Sequence, residues 1–236
     1  MSNPRSLSTF IQEQKSRVGL LWYSIPRYLL YFYYGYGKFH ITPTRYKRYC
    51  VDVIHHFNQR TRRHSLLDIG CGIGDILGVA RYDLKVGLDH NQKVLDALKF
   101  RARILPWPGK IDAKFFRFSV DPVDGRYDVI VICNWIHNIE PEILRLQFEK
   151  FVNENLNSGG ELIFDTVKGE HYPYCHDEVF LAKNLHVTTS LLGEYRDGQL
   201  KGGGVRRIIS FGKFESSVFD SDASIANYKL DWQEET

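Results

Sequence analysis

The chain has 236 residues, a hydrophobic content of 43%, a charged content of 25% and a formal net charge of +3. These values are ordinary for a globular protein large enough for one domain plus an extension. The small net charge, with no long run of like charge, removes the electrostatic case for nucleic acid, so no nucleic-acid partner is expected.

Residues 1–60 read as a helical, tyrosine-rich N-terminal extension. The polar N-terminus lacks the apolar core of a secretory signal. Residues 20–37, LLWYSIPRYLLYFYYGYG, are rich in aromatics, but Pro26 and Arg27 interrupt them. No uncharged run approaches the ~18 apolar residues that a membrane span needs, so no transmembrane segment is expected. Peripheral membrane contact stays open, because Trp and Tyr suit a membrane interface. The alternative is a lid over the core.

The extension is expected to close with an amphipathic helix. Thr42 followed by Pro43 is a typical helix start. Apolar residues then recur at helical spacing, at Tyr46, Cys50, Val53, Ile54 and Phe57. Residues 61–236 would form the main domain. The scattered cysteines, Cys50, Cys71, Cys133 and Cys175, contain no CxxC pair, so we predict no metal site and a reducing, cytoplasmic location.

A glycine-rich turn follows the first predicted strand. Residues 66–75 read LLDIGCGIGD, with a strand predicted at Ser65–Ile69 and a helix at Asp75–Tyr82. Glycines here allow positive φ and a close approach of ligand to backbone. A dinucleotide fingerprint would need glycine at position 75. Asp75 stands there instead and would repel phosphate, which argues against NAD and FAD.

A second acid closes the next predicted strand, Leu84–Asp89, before a helix at Asn91–Ala102. Asp89 follows Asp68 by about the 20 residues at which a βαβ unit returns an acid to a nucleoside ribose. A carboxylate can accept hydrogen bonds from both ribose hydroxyls.

The second half of the chain predicts further strands. They lie at Ala113–Ser119, Tyr127–Asn134 and Glu161–Thr166, with a helix at Glu142–Asn155. Only residues 121–126 separate the first two, which is too few for a crossover helix. The stretch Leu185–Gly212 alternates around a glycine-rich turn at 202–204 and predicts an antiparallel pair.

Four features occur in this order: the glycine loop, the acid Asp89, the strand with YDVIV (residues 127–131) and the strand with GGELI (residues 159–163). Together they resemble the core of the class I S-adenosylmethionine (SAM) methyltransferases over about Leu66–Gly212. The resemblance implies an α/β fold, with a doubly wound, seven-stranded, mostly parallel sheet. It also implies an antiparallel edge pair and an N-terminal helical lid. The family usually has a helix before the YDVIV strand, so the short connection is a departure.

The resemblance implies SAM as the cofactor. Asp68 and the glycine loop would face its methionine part, Asp89 would bind the ribose, and His90 would lie near the adenine. Ser119 and Asp121 compete for the adenine amine. The expected cofactor-binding residues are therefore Asp68, Gly70, Cys71, Gly72, Gly74, Asp89, His90, Ser119 and Asn134.

His137 is the first candidate for catalysis. Residues 136–139, IHNI, resemble the LHHL-type segment of small-molecule methyltransferases. His137 is either a general base toward a hydroxyl or a structural or cofactor contact. His171 and His176 are the next candidates, although His176-Asp177 could instead cap the following helix.

We therefore expect a methyltransferase acting at oxygen on a small-molecule or glycan-type acceptor. Two alternatives stay open, N-methylation of an amino sugar or lipid and a SAM-binding protein without catalysis. The sequence defines neither the acceptor nor the oligomeric state.

Overall fold

The computed structural model describes residues 26–41, 48–169, 172–197 and 204–213. Its helices are α1 (residues 26–34), α2 (Arg48–Asn58), α3 (Asp75–Val79), α4 (Gln92–Ile104), α5 (Pro141–Lys150) and α6 (Glu178–Leu181). Its strands are β1 (Ser65–Ile69), β2 (Leu84–Asp89), β3 (Lys110–Phe115), β4 (Tyr127–Ile132), β5 (Leu156–Lys168), β6 (Val187–Asp197) and β7 (Gly204–Lys213).

The strands form one seven-stranded sheet in the order β3-β2-β1-β4-β5-β7-β6. The pairs within β3-β2-β1-β4-β5 are parallel, and β7 runs antiparallel to both β5 and β6. The predicted fold, with its antiparallel pair at one edge, is confirmed. The strand order reverses between β1 and β4, and ligands of such sheets bind beyond the carboxyl ends of the strands at this switch point.

Helices cover both faces of the sheet, as a doubly wound fold requires. Leu67 points into a buried cluster with Leu144 and Phe148 of α5. Its neighbour Leu66 points into the opposite cluster, which holds side chains of α2, α3 and α4. Because successive strand residues face opposite sides, strands buried on both faces read as continuous apolar runs.

Several boundaries differ from the sequence prediction. Strands β1 and β2 match it, but β3 begins and ends earlier than the predicted Ala113–Ser119. Pairing stops after Phe115, because Asp121 accepts a hydrogen bond from the Arg117 amide at 2.7 Å and closes a turn. The helix predicted to end at Asn155 does so through a final π-helical turn, Phe151–Asn155. Residues 121–126 hold no helix, as predicted.

The described part of the extension packs on the core. Leu30, Tyr31 and Tyr34 contact a cluster that contains Ile73 and Val94. In α2, Cys50, Val53 and Phe57 are buried, as their spacing predicted. The predicted helix start at Thr42-Pro43, with Tyr46, and the centre of the predicted turn at 202–204 lie outside the described residues.

Candidate functional site

A cavity of about 760 Å³ opens at the carboxyl ends of β1, β2 and β4. Its walls come from the loops that follow these strands, from Phe116 and Phe118 after β3, from Tyr172 after β5, and from Gly37 and His40 of the extension. Of the predicted cofactor-binding residues, seven line it, namely Asp68, Gly70, Cys71, Gly72, Asp89, His90 and Asn134.

The glycine loop uses its own amides to hold its shape. Gly70 and Cys71 both donate to the carbonyl of Leu88, at 2.7 and 3.1 Å. The Gly72 amide donates to Asp89 Oδ2 at 3.0 Å, and the Gly74 amide to the Cys71 carbonyl at 3.0 Å. These four donors are therefore occupied and are not available to cradle a phosphate. This agrees with the argument against NAD and FAD.

Gly74 does not line the cavity. A Cβ there would lie 2.1 Å from Leu98 Cδ1 of α4, and its φ is +80°. Its role is thus close packing of α3 against α4 at a left-handed position. Its expected contact with the cofactor is not supported by its position.

Asp68 brings a buried carboxyl group to the cavity. It is 2% exposed, and its Oδ2 has no hydrogen-bond partner in the described part of the chain. Burial raises the pKa of Asp68 to about 8, and the charges of Asp89 and Asp75 add to the rise. A buried, unpartnered carboxyl is costly unless a ligand pairs with it, so this oxygen marks a site for a cationic or hydrogen-donating group.

Asp89 ties the glycine loop to the next helix. Its Oδ2 accepts from Gly72, and its Oδ1 accepts from the Asn91 amide at 2.9 Å. Each carboxylate oxygen has a further lone pair that a ligand hydroxyl can use. His90 is exposed beside it, with Nδ1 3.6 Å from Asp89 Oδ1.

Aromatic rings replace the residues expected after β3. Phe116 and Phe118 line the cavity, whereas Ser119 is exposed and does not. Asp121 also lies outside it, because both of its carboxylate oxygens bind Arg117. The predicted roles of Ser119 and Asp121 at the adenine amine are thus not supported by their positions. Because β3 ends early, Phe116 and Phe118 occupy the part of the cavity where Ser119 and Asp121 were expected.

The loop after β4 is held by a buried ion pair that the sequence did not reveal. Asn134, at φ +73°, donates its amide to Asp165 Oδ1 at 2.6 Å. Arg206 of β7 pairs with the other oxygen of Asp165. Trp135 donates its indole N–H to the Ile69 carbonyl at 2.9 Å and packs over Gly70. The β4 loop and the glycine loop are therefore fixed to each other.

His137 lies in the cavity wall on a 3₁₀ turn, Ile136–Asn138. Its ring centroid is 4.4 Å from that of Tyr172, in an edge-on contact. Its Nδ1 is buried with no hydrogen-bond partner in the described residues. Burial lowers the pKa of His137 below its ordinary value, so the imidazole is neutral at pH 7 and able to accept a proton.

His176 does not line the cavity and supports His137 from behind. Its Nε2 lies 2.8 Å from the Ile136 carbonyl. Because a carbonyl only accepts, this nitrogen must carry the proton. The Tyr174 amide donates to the His137 carbonyl at 3.2 Å. The expectation of His176 as a catalytic base is therefore corrected to a support of the turn. Asp177 caps α6, and His171 lies outside the described residues.

Asp75 fastens the extension to the core. Arg27 pairs with its carboxylate, and Arg101 of α4 donates to the same Oδ1 at 2.9 Å. Arg27 also donates to the His40 carbonyl at 2.8 Å, which places His40 at the cavity. Burial alone would raise the pKa of Asp75, but the two arginines lower it below its ordinary value. The acid that removes the dinucleotide fingerprint is thus the anchor of the extension.

Replacing Asp75 with asparagine is expected to lower the free energy of unfolding by about 3–5 kcal/mol, because two largely buried arginines lose their counter-ion. Urea denaturation measures the change. Asp121→Asn, which breaks an exposed pair with Arg117, is the matched control and should have little effect. Equal stability of the Asp75 variant and the native chain would contradict the anchor role.

Two classes of feature are not found among the described residues. No group of three or more His, Cys, Asp or Glu side chains is arranged to hold a metal ion. No helix in the described ranges is long and apolar enough to cross a membrane.

Comparison of the sequence with protein-family models and with curated proteins finds no match. Solved structures do match. The N-methyltransferase NodS from Bradyrhizobium japonicum superposes with a TM-score of 0.58 at 14% identity, covering 72% of this chain and 98% of that one. Magnesium protoporphyrin IX methyltransferase from Synechocystis, with bound SAM, gives 0.56 at 15% identity over 90% and 100%. A SAM-dependent methyltransferase from Methanosarcina mazei gives 0.53 at 16% identity over 69% and 97%. The chain has the fold of the class I SAM-dependent methyltransferases.

Proposed function

We propose that this chain is a SAM-dependent methyltransferase that methylates a neutral hydroxyl of a small-molecule or glycan-type acceptor. One observation carries the proposal: a neutral, partly buried histidine, His137, shares a single cavity with the glycine loop and two carboxyl groups, Asp68 and Asp89. Cofactor groups and a proton acceptor are thus within reach of one another.

The residues present fit the cofactor. Asp68 offers an unpartnered oxygen to the cationic amino-acid end, and Asp89 offers free lone pairs to the ribose hydroxyls. Phe116 and Phe118 supply apolar surface for a flat base. Because Gly70 and Gly72 lack side chains, Trp135 and His40 can pack directly against the loop at the edge of the cavity. The fold neighbour from Synechocystis is described with SAM bound, which agrees with this use of the fold.

When bound, SAM supplies an electrophilic methyl group on a sulfonium sulfur. The cavity would position an acceptor hydroxyl beside the bound cofactor, and such positioning provides much of the rate. Methylation of that hydroxyl would require it to give up its proton. His137 takes this proton, because its imidazole is neutral at pH 7. Tyr172 packs edge-on against the ring and limits its rotation.

The charges of the lining favour a neutral acceptor. No lysine or arginine is present among the described residues that line the cavity, whereas three aspartates are. A phosphate or carboxylate acceptor would meet no cation there. The β4 end offers uncharged groups instead, from Asn134, Asn138 and Tyr172.

An amine acceptor is the second candidate, since a neutral histidine would equally take a proton from an ammonium group. One fold neighbour is an N-methyltransferase. A protein that binds SAM without turnover is the third.

Methyl-labelled SAM, offered with matched acceptor pairs, separates the three candidates. Suitable pairs are glucose with glucosamine and a phenol with the corresponding aniline, with mass spectrometry of the products. Transfer of the labelled methyl group to a hydroxyl of glucose or of the phenol supports the proposal. Label on the amines alone, or tight binding without transfer to any acceptor of a broad pool, would overturn it.

We also propose a cytoplasmic location. The structure forms no disulfide among Cys50, Cys71, Cys133 and Cys175, which agrees with a reducing compartment. Peripheral membrane contact stays a prediction that rests on the exposed rings of Phe32 and Tyr33 in α1.

A further inference from the structure

Four amides of the glycine loop are already used within the protein and are not offered to the anionic end of the cofactor. Its amides at Gly70, Cys71, Gly72 and Gly74 are all bonded within the protein. Helix α3, which follows, has only five residues and brings the carboxylate of Asp75 to its own first turn. The carboxylate of the amino-acid end would therefore need a donor other than these four amides.

His40 is the donor placed beside this loop. It lies in the cavity wall, and its Nδ1 is 3.0 Å from the position that a Cβ on Gly72 would occupy. Its backbone is fixed, because Arg27 holds its carbonyl at 2.8 Å. Tyr36 packs against the imidazole in an edge-on contact, with ring centroids 5.8 Å apart.

Most other side-chain donors among the described lining residues belong to other parts of the cavity. His90 and Asn91 lie beside Asp89, at the end that we assign to the nucleoside. Asn134, His137 and Asn138 follow β4, and Tyr172 packs against His137. Trp135 is near Gly70, but its indole N–H already donates to the Ile69 carbonyl.

We infer that His40 of the extension binds the carboxylate of the cofactor's amino-acid end, while Asp68 accepts the neighbouring ammonium group. This inference rests on the proposed function. It gives the extension a definite task, because the Arg27–Asp75 pair that docks it also positions a cofactor-binding side chain. The extension and the core thus each hold one charge of the same amino-acid group.

Calorimetric titration of the full chain with two ligands tests this assignment. S-adenosylhomocysteine carries the amino-acid end, whereas 5′-methylthioadenosine keeps the adenosine and sulfur but lacks that end. His40→Phe should weaken S-adenosylhomocysteine binding by about ten- to hundred-fold, the loss typical of one hydrogen bond to a charged group. Binding of 5′-methylthioadenosine should be unchanged, which also shows that the variant is folded. His40→Gln, which keeps a donor, should recover most of the affinity.

Other outcomes separate the two proposals. If the native chain binds S-adenosylhomocysteine and His40→Phe binds it equally well, the inference on His40 is wrong and the proposed function stands. An equal loss for both ligands would also overturn it, because the ring would then act only by shape. If the native chain binds neither ligand, the proposed function fails with it.

Discussion

Replacing Gly72 with valine is expected to abolish cofactor binding. Gly72 lies at φ +53°, where a β-branched residue is strained by roughly 1–2 kcal/mol. A Cβ there would come within 3.0 and 3.3 Å of two His40 ring atoms, and the extra methyl groups would enter the cavity between the loop and the extension. The loop would also shift from Asp89, which accepts its amide. Calorimetry with SAM measures the loss.

Gly125→Val is the matched control for this substitution. Gly125 also has a positive φ, at +85°, but it lies in the loop between β3 and β4. A Cβ there would come no closer than 3.8 Å to Tyr127 Oη. The control carries a similar backbone strain and should bind SAM like the native chain. A folded Gly72→Val variant with native affinity would show that this turn is not the cofactor loop.

Replacing His137 with glutamine is expected to lower turnover by about 10²–10⁴ while the affinity for SAM changes little, because a general base acts only on the proton transfer. The native rate should rise with pH through the pKa of His137 and then level off, since only the neutral ring accepts a proton. Burial lowers that pKa, so the rise falls below pH 6.5 and activity is lost on acidification. The variant should lack this rise.

The control for His137→Gln is His186→Gln, an exposed histidine before β6, which should keep native turnover and the native pH profile. If His137 is instead a cofactor contact, the main loss would appear in the SAM affinity and the pH profile would survive. That pattern would remove His137 as the base, and His176 would not replace it, since its Nε2 binds the Ile136 carbonyl.

The parallel core could be predicted because it depends on local pattern. Strands buried on both faces give continuous apolar runs, and β1 and β2 begin and end where these runs do. The glycine loop and Asp89 lie at the carboxyl ends of those strands, so their approach to one cavity follows from the topology. His137 follows β4 for the same reason.

Features that depend on partners distant in sequence could not be predicted. From the sequence, Asp75 showed only that the glycine of a dinucleotide fingerprint is missing. Its partners Arg27 and Arg101 belong to elements whose packing the sequence pattern does not reveal. His176 came after His137 as a candidate base, and the sequence does not show that its Nε2 lies 2.8 Å from the Ile136 carbonyl. Ser119 was displaced from the cavity by a turn that Arg117 and Asp121 close.

His40 had a weaker signal. It stands in the YYGYGKFH stretch of the predicted N-terminal lid, where the aromatic neighbours favour core packing over contact with a ligand. Its place against Gly72 depends on the hydrogen bond from Arg27 to its carbonyl, which no spacing rule encodes.

A crystal structure of the chain with S-adenosylhomocysteine would show whether this cavity is the cofactor site. We expect the ligand in the cavity beyond β1, β2 and β4, with both ribose hydroxyls on Asp89 and the amino group at Asp68 Oδ2. The adenine ring would lie against Phe116 and Phe118. A ligand bound elsewhere on the chain, or an adenosine in this cavity that contacts neither carboxyl group, would contradict it.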